Sequence, residues 1–163
     1  MADYDATLFT AGDRAALEQM LDVQRTEMAR LLDGLTEEQA RRRLVPSLTT
    51  LLGLVKHGCF VERVWFHHRV AGVPRSALGL PDEIDESFRL SDPDTIASVR
   101  ADFEAACTRS REIAAGHTNL AEQFPWRLGP VSLRFIHAHM AQEYARHAGH
   151  GDILREQILA PDA

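Results

Sequence analysis

The sequence has few cysteines, one lysine and no long apolar run. Its two cysteines, Cys59 and Cys107, have neither CxxC spacing nor the density of a disulfide framework, so we expect reduced thiols in helices. No segment approaches the roughly 18 apolar residues of a membrane span. The start, Met1-Ala-Asp-Tyr-Asp, is acidic, whereas a signal peptide begins with basic residues. These absences predict a cytoplasmic protein that does not cross a membrane.

The composition also lacks an excess of basic residues. The chain has 18 lysines and arginines against 24 aspartates and glutamates, which gives a formal net charge of -6. Binding to nucleic acid or to an anionic membrane usually needs a basic face, so we expect neither partner. A length of 163 residues with 45% hydrophobic residues is typical of one domain with one core. We therefore predict a single domain over residues 1–163.

The sequence shows helical periodicity along most of its length and no convincing strand pattern. Four long helical patterns are found: residues 13–32, a helix that starts at Ser47, Thr49 or Thr50 and ends at Gly72, a helix from Asp92-Pro93 to Gly116, and a helix from Ser132 to about Leu159. Thr36 and Gln39 form a capping box for a short helix through Arg43. The sequence thus predicts an all-α protein, a four-helix bundle with long connections. The polar connection over residues 73–90 is expected to cover a pocket.

The fourth helical pattern places polar residues where its apolar seam should continue. Leu133, Ile136 and Met140 define an inward stripe. Further steps of three or four reach Glu143, His147, His150 and Leu154. An unpaired carboxylate in a core costs several kcal/mol, whereas a carboxylate and imidazoles that converge on a divalent cation are paired by it. This seam therefore indicates a metal site inside the bundle.

Three residues are predicted to hold the metal. Glu143 and His147 lie four apart, about 6 Å along the helix axis and about 40° around it, so both side chains reach one ion. His57 lies in the stripe of the second long helix and can supply a third ligand. Two imidazoles and one carboxylate leave a coordination position open, as in catalytic zinc sites, and the same set suits non-haem iron. The alternative is a hydrogen-bonded polar network without a metal.

Several neighbouring residues have weaker signals. His150 lies one turn beyond His147 and can orient a ligand or act as an acid or base near neutral pH, or it is a core or rim histidine. Gly149 and Gly151 each cost a helix about 1 kcal/mol against alanine, which suggests either that a backbone or ligand approaches closely or that the helix is kinked. The remaining histidines are predicted to be structural, as for His67 and His68, or on the surface, as for His117, His137 and His139.

Two motifs in a fixed order resemble those of a known superfamily. The second long helix reads Leu51-Leu-Gly-Leu-Val-Lys-His57, and the fourth reads Glu143-Tyr-Ala-Arg146-His147-Ala-Gly-His150. With these motifs the chain resembles the DinB-like superfamily of metal-binding four-helix bundles, in its actinobacterial branch. Many members have a histidine where this chain has Glu143. The chain is therefore more similar to the mycothiol-dependent maleylpyruvate isomerase type and to mycothiol S-transferases.

The resemblance implies a function and a site. A divalent ion held by His57, Glu143 and His147, with zinc favoured over nickel, iron or manganese, would activate the thiol of mycothiol for attack on a small electrophile. His150 would be catalytic. Trp65, Arg146 and Arg155, together with Trp126, would contact an anionic or sugar-bearing cofactor, although salt bridging and packing also explain them. The resemblance allows a homodimer.

Other functions fit the same residues. A metal-dependent hydrolase would use a metal-bound water and a nearby Glu or His as base. A non-catalytic bundle would bind metal or a small ligand, and an Fe(II) oxygenase would consume oxygen. The resembled isomerase has an additional C-terminal domain, so we expect thiol transfer rather than isomerisation.

Overall fold

The computed structural model describes residues 6–160 and shows a helical bundle. Its elements are a 3-10 helix Ala6–Thr10, α1 Asp13–Arg30, α2 Glu37–Arg41, α3 Leu51–Glu62, α4 Ile96–Ala115, β1 Gln123–Phe124, β2 Val131–Ser132 and α5 Leu133–Leu159. The predicted all-α four-helix bundle is confirmed, with α1, α3, α4 and α5 as its long helices. The sequence did not indicate the small antiparallel pair of β1 and β2. Residues 1–5 and 161–163, which include the acidic start, lie outside the described range.

The long helices pack in pairs around one core. α1 packs mainly against α5, and α3 mainly against α4. At the α1–α5 contact, a Cβ added to Gly151 would lie 2.5 Å from Leu31 Cδ1, so the Leu31 side chain would have to move. The close neighbour of Gly151 is thus a side chain, and not the backbone or ligand that we expected. At Gly149 an added Cβ would meet no atom of the described residues within 4 Å.

Side-chain caps fix where the helices start. The capping box of Thr36 and Gln39 begins α2 as predicted, and Ser132 caps α5 by accepting from the backbone of Phe135. Thr50 is the cap of α3.

The start of α4 differs from the prediction. Thr95 and Ser98 form a reciprocal capping box, and the helix begins at Ile96 rather than at Asp92-Pro93. The reason is that this box satisfies free backbone amides at both positions, and the Asp92-Pro93 dipeptide is left in the preceding turn.

Helix α3 continues directly into a π-helical segment, Arg63–Val70. The hydrogen bond from Ala71 N to Phe66 O shows the wider spacing. Trp65 and Arg69, four residues apart in this segment, face the same side, and the Arg69 guanidinium lies over the Trp65 ring. In residues 6–160, no helix has the length and apolar character needed to cross a membrane.

Candidate metal centre and its cavity

The three predicted metal ligands lie together between α3 and α5. His57 projects from α3, and Glu143 and His147 project from adjacent turns of α5. One ligand atom of each residue lies within 4.8 Å of the other two. Glu143 Oε1 is 3.7 Å from His57 Nε2 and 3.1 Å from His147 Nε2.

The apolar stripe of α5 runs slightly beside this cluster rather than through it. Tyr144, Ala148 and Gly151 are buried, whereas the side chains of Glu143 and His147 remain 20% and 14% exposed. From Met140 the stripe therefore continues by four residues to Tyr144, and not by three to Glu143. Glu143 and His147 consequently lie at the edge of the core, where a ligand can reach them.

Ser87 fixes which ring nitrogen of His57 carries the proton. His57 Nδ1 lies 2.7 Å from Ser87 Oγ, and the Ser87 hydroxyl donates its single hydrogen to Ile84 O. With that hydrogen assigned to Ile84 O, the hydroxyl accepts from Nδ1–H, and this tautomer has its lone pair on Nε2. Burial lowers the pKa of His57, against the raising effect of Glu143, so the ring is held neutral.

The connection over residues 73–90 covers His57 from outside. It contains two 3-10 turns, Arg75–Leu78 and Ile84–Phe88. Phe88 stacks on the His57 ring with 4.0 Å between centroids and 11° between planes. The expectation that this connection covers a pocket is confirmed, since Arg75 and Ile84 line the cavity beside the triad.

The donor set fits a divalent cation. His57 Nε2 is buried without a hydrogen-bond partner in the described part of the chain, and its lone pair faces the Glu143 carboxylate. Hydrogen bonding by His147 lowers the pKa of Glu143, so the carboxylate is ionised. A cation between them would turn two facing lone pairs into ligands. Two ligand atoms of a tetrahedral zinc site lie about 3.4 Å apart. This value falls between the 3.1 Å and 3.7 Å that separate Glu143 Oε1 from the Nε2 atoms of His147 and His57.

A cavity of about 600 Å³ opens beside the triad, and His57 and Glu143 belong to its wall. The opposite wall is aromatic: Trp65 is 5.7 Å from Trp126 between ring centroids and 4.5 Å from His139. His139 is half-buried there, so the prediction of a surface residue is wrong. The reason is that Trp65 and the connection before β2 close over this side of α5.

A second polar cluster lies deeper in the bundle, and no sequence pattern predicted it. Arg25 donates from Nε and Nη2 to the two carboxylate oxygens of Glu62, each at 2.8 Å. Tyr144 OH donates to Glu62 Oε1 at 2.9 Å, and Cys107 Sγ lies 3.6 Å from the same oxygen. Glu62 is 0% exposed. Although burial opposes it, the attraction of Glu62 raises the pKa of Arg25.

The other predicted site residues lie at different distances from the triad. Arg146 is exposed on α5, with Nη1 3.9 Å from Glu143 Oε2. His150 is also exposed, with its ring centroid 6.1 Å from that of His147, so it does not continue the buried seam. The structure does not bring Arg155 to the triad. Its guanidinium donates to the carbonyl oxygens of Leu31 and Asp33 at the end of α1.

The remaining histidines are mostly structural. His67 and His68 each bond a backbone carbonyl, as the prediction of a structural role requires. His117 is partly exposed and pairs with Glu122. His137 was predicted on the surface but is only 2% exposed. The reason is that α5 packs against both α1 and α3, so its buried face is wide. His137 lies on this face, four residues after the buried Leu133.

Sequence reasoning missed Ser87 and Phe88, which position His57, and Arg69 and Arg75, which line the cavity. Ser87 and Phe88 lie in a connection without periodicity, so no spacing pattern marks them. Arg69 follows Trp65 by four residues, and this spacing was the one available signal.

Comparison with known proteins agrees with this geometry. A comparison with curated proteins finds no match. The family model described as mycothiol-S-transferase matches residues 16–160, a range that contains the triad, the covering connection and the aromatic wall. The chain therefore belongs to the mycothiol S-transferase family.

Proposed function

We propose that this protein is a metal-dependent mycothiol S-transferase that joins the thiol to a small electrophile. Family membership supports the thiol and the reaction class. The observation that carries the metal dependence is the buried, unpartnered Nε2 of His57, whose lone pair faces the ionised Glu143 carboxylate.

His57, Glu143 and His147 would hold the metal. A bound divalent ion lowers the pKa of a thiol and orients the resulting thiolate. Zinc is the expected ion, although nickel, iron or manganese would accept the same donors. Three protein ligands leave a position for the thiol sulfur.

The protein supplies position and surroundings for the transfer. Ser87 keeps the His57 lone pair directed to the ligand side, and Phe88 holds the plane of the ring. Trp65 offers an aromatic surface for the sugar-bearing thiol, and the exposed Arg146 flanks Glu143. In the transfer, the sulfur forms a bond to the electrophilic carbon, the leaving group departs with its electron pair, and the thiol proton passes to water or to a base. His150 stays our predicted acid–base residue.

Metal analysis of the purified protein tests the ligand set. We expect about one divalent ion per chain, and loss of that ion in His57→Ala and Glu143→Gln. Glu122→Gln is the matched control. The Glu122 carboxylate pairs with His117 at a distance of 3.0 Å, and neither residue lines the cavity. Absence of metal after reconstitution, or metal retained by both ligand variants, would contradict the proposal.

Turnover of a chlorinated aromatic then tests the reaction. Product formation should require mycothiol and should fall at least 100-fold in Glu143→Gln, about 2.7 kcal/mol of transition-state stabilisation. Ester cleavage without thiol would instead support a hydrolase, and binding without turnover would support a non-catalytic bundle. A cytoplasmic location and a homodimer also stay predictions, to be tested by fractionation and by light scattering.

A further inference from the structure

Arg69 and Arg75 bring two guanidinium groups to the cavity without a carboxylate partner. Both are half-buried and line the cavity that contains His57 and Glu143. Neither makes an ion pair with any residue in 6–160, whereas the arginines at 25, 63 and 111 do. Unpaired guanidinium groups beside a cavity are typical of sites that bind anions.

Arg69 is held in place by contacts that do not neutralise its charge. Its guanidinium carbon lies 4.4 Å from the centre of the Trp65 ring, and Nη1 donates to Pro125 O at 2.8 Å. Its Nε is buried and finds no hydrogen-bond acceptor in the described residues. Burial, and then repulsion from Arg75, lowers the pKa of Arg69. An anion in the cavity would stabilise the charged guanidinium and so offset both its burial and its repulsion from Arg75.

Arg75 faces the same space from the covering connection. Its Nη2 donates to Pro81 O at 2.6 Å, and its guanidinium carbon lies 5.9 Å from the centre of the Phe60 ring. The cavity wall also contains the carboxylates of Asp82, Glu83 and Glu143 and the exposed guanidinium of Arg127. The three carboxylates would repel a polyanion, so the arrangement favours a compact group with a single negative charge.

We propose that Arg69 and Arg75 form an anion-binding subsite and that the electrophile is a planar carboxylic acid. The identification of the bound acid as the electrophile rests on the proposed function. It follows from that function because the subsite and the triad share one cavity. A carboxylate matches the fork of a guanidinium. The rings of Phe60 and Trp126 in the same wall suit a flat apolar body attached to that carboxylate.

A matched pair of electrophiles tests the charge requirement. A chlorodinitrobenzoate and the corresponding chlorodinitrobenzamide differ in charge while keeping shape and reactivity similar. With either probe the thiol sulfur forms a bond to the ring carbon, chloride leaves with the bonding pair, and the thiol proton passes to solvent. For the metal-loaded protein with mycothiol, we expect kcat/KM about tenfold higher for the carboxylate, equivalent to about 1.4 kcal/mol.

The ratio of the two kcat/KM values should fall towards one in Arg69→Met and in Arg75→Met. Arg69→Lys should retain part of the preference, since it keeps the charge but loses the planar fork. Arg109→Met is the control, because Arg109 pairs with Glu112 on the exposed face of α4, and it should keep the wild-type ratio. Using the ratio within each variant separates charge recognition from any loss of folded protein.

Equal rates for the two probes in the wild type would overturn the proposal, as would a preference that survives both methionine variants. A carboxylate bound by the metal alone would produce the second outcome. If no thiol transfer occurs with either probe, calorimetric binding of a dinitrobenzoate and of its amide decides the subsite separately. Preferential binding of the acid, lost in Arg75→Met, would support the subsite although the transferase proposal had failed, and equal binding would overturn it.

Discussion

The bundle contains two clusters of polar side chains that differ in how completely they are paired. In the deeper one, both oxygens of Glu62 and the three guanidinium nitrogens of Arg25 have partners, with Asp22 accepting the remaining bond. In the triad, His57 Nε2 and His147 Nδ1 are buried without partners among the residues described. One cluster is complete within the protein, whereas the other leaves lone pairs beside a cavity.

This difference separates a structural role from a binding role. A buried carboxylate alone does not indicate function, because Glu62 is more buried than Glu143 and is satisfied by Arg25 and Tyr144. What marks the triad is an acceptor facing an acceptor, which a cation or proton must separate. Substitutions in the two clusters should therefore have opposite consequences for stability and for metal binding.

The largest stability effect should come from breaking the complete cluster. Glu62→Ala leaves Arg25 buried with only the partly exposed Asp22 as its ion-pair partner, so we expect the free energy of unfolding to fall by about 3–5 kcal/mol, measured by urea denaturation. The double variant Arg25→Met with Glu62→Met removes both charges and should recover much of this loss. A loss below about 1 kcal/mol in the single variant would show that Arg25 finds other partners.

A smaller effect should follow from loosening the triad through Ser87. Ser87→Ala removes the acceptor for His57 Nδ1–H, so metal affinity should fall about 10–100-fold, the usual cost of losing a partner of a metal ligand. Competition with a chromophoric chelator measures this affinity. Ser76→Ala, an exposed serine in the same covering connection, is the matched control and should bind metal as the wild type does. Unchanged affinity in Ser87→Ala would mean that the hydroxyl does not fix the tautomer.

The smallest effect should be a pH dependence of stability that arises from His137. Burial lowers its pKa in the folded state, so below about pH 6.5 the unfolded chain binds a proton that the folded protein does not. Stability should therefore fall as the pH falls through this window, by at most about 1.4 kcal/mol per pH unit for this group. His137→Gln should flatten the slope, measured by urea denaturation between about pH 7.5 and 5. An identical slope in both proteins would assign the effect to other buried histidines.

Local signals in the sequence were sufficient to predict the bundle and the cluster of His57, Glu143 and His147. Capping residues such as Thr36 and Ser132 act within one turn, and the spacing of Glu143 and His147 follows from helix geometry alone. Periodicity could not choose between steps of three and four after Met140. For this reason Tyr144 was missed as the buried residue, and His150 was assigned to a seam that it does not occupy.

Contacts between distant segments account for what the sequence could not show. The pairing of Arg25 with Glu62 joins α1 to α3, and Ser87 reaches His57 from a connection without periodicity. The π segment Arg63–Val70 also has no distinct composition, because its residues read as a continuation of α3. Each of these features depends on tertiary packing rather than on local propensity.

The π segment has a consequence for how such a protein changes over evolution. A π turn takes up more residues than an α turn, and this segment forms the last turns of its helix, so a change of length here leaves the direction of α3 before it unchanged. Insertion or deletion of one residue between Arg63 and Val70 would therefore change which side chains line the cavity, and His57 on the preceding turns would keep its place. The shape of the cavity can thus change through the length of one helix, while the cluster of His57, Glu143 and His147 stays as it is.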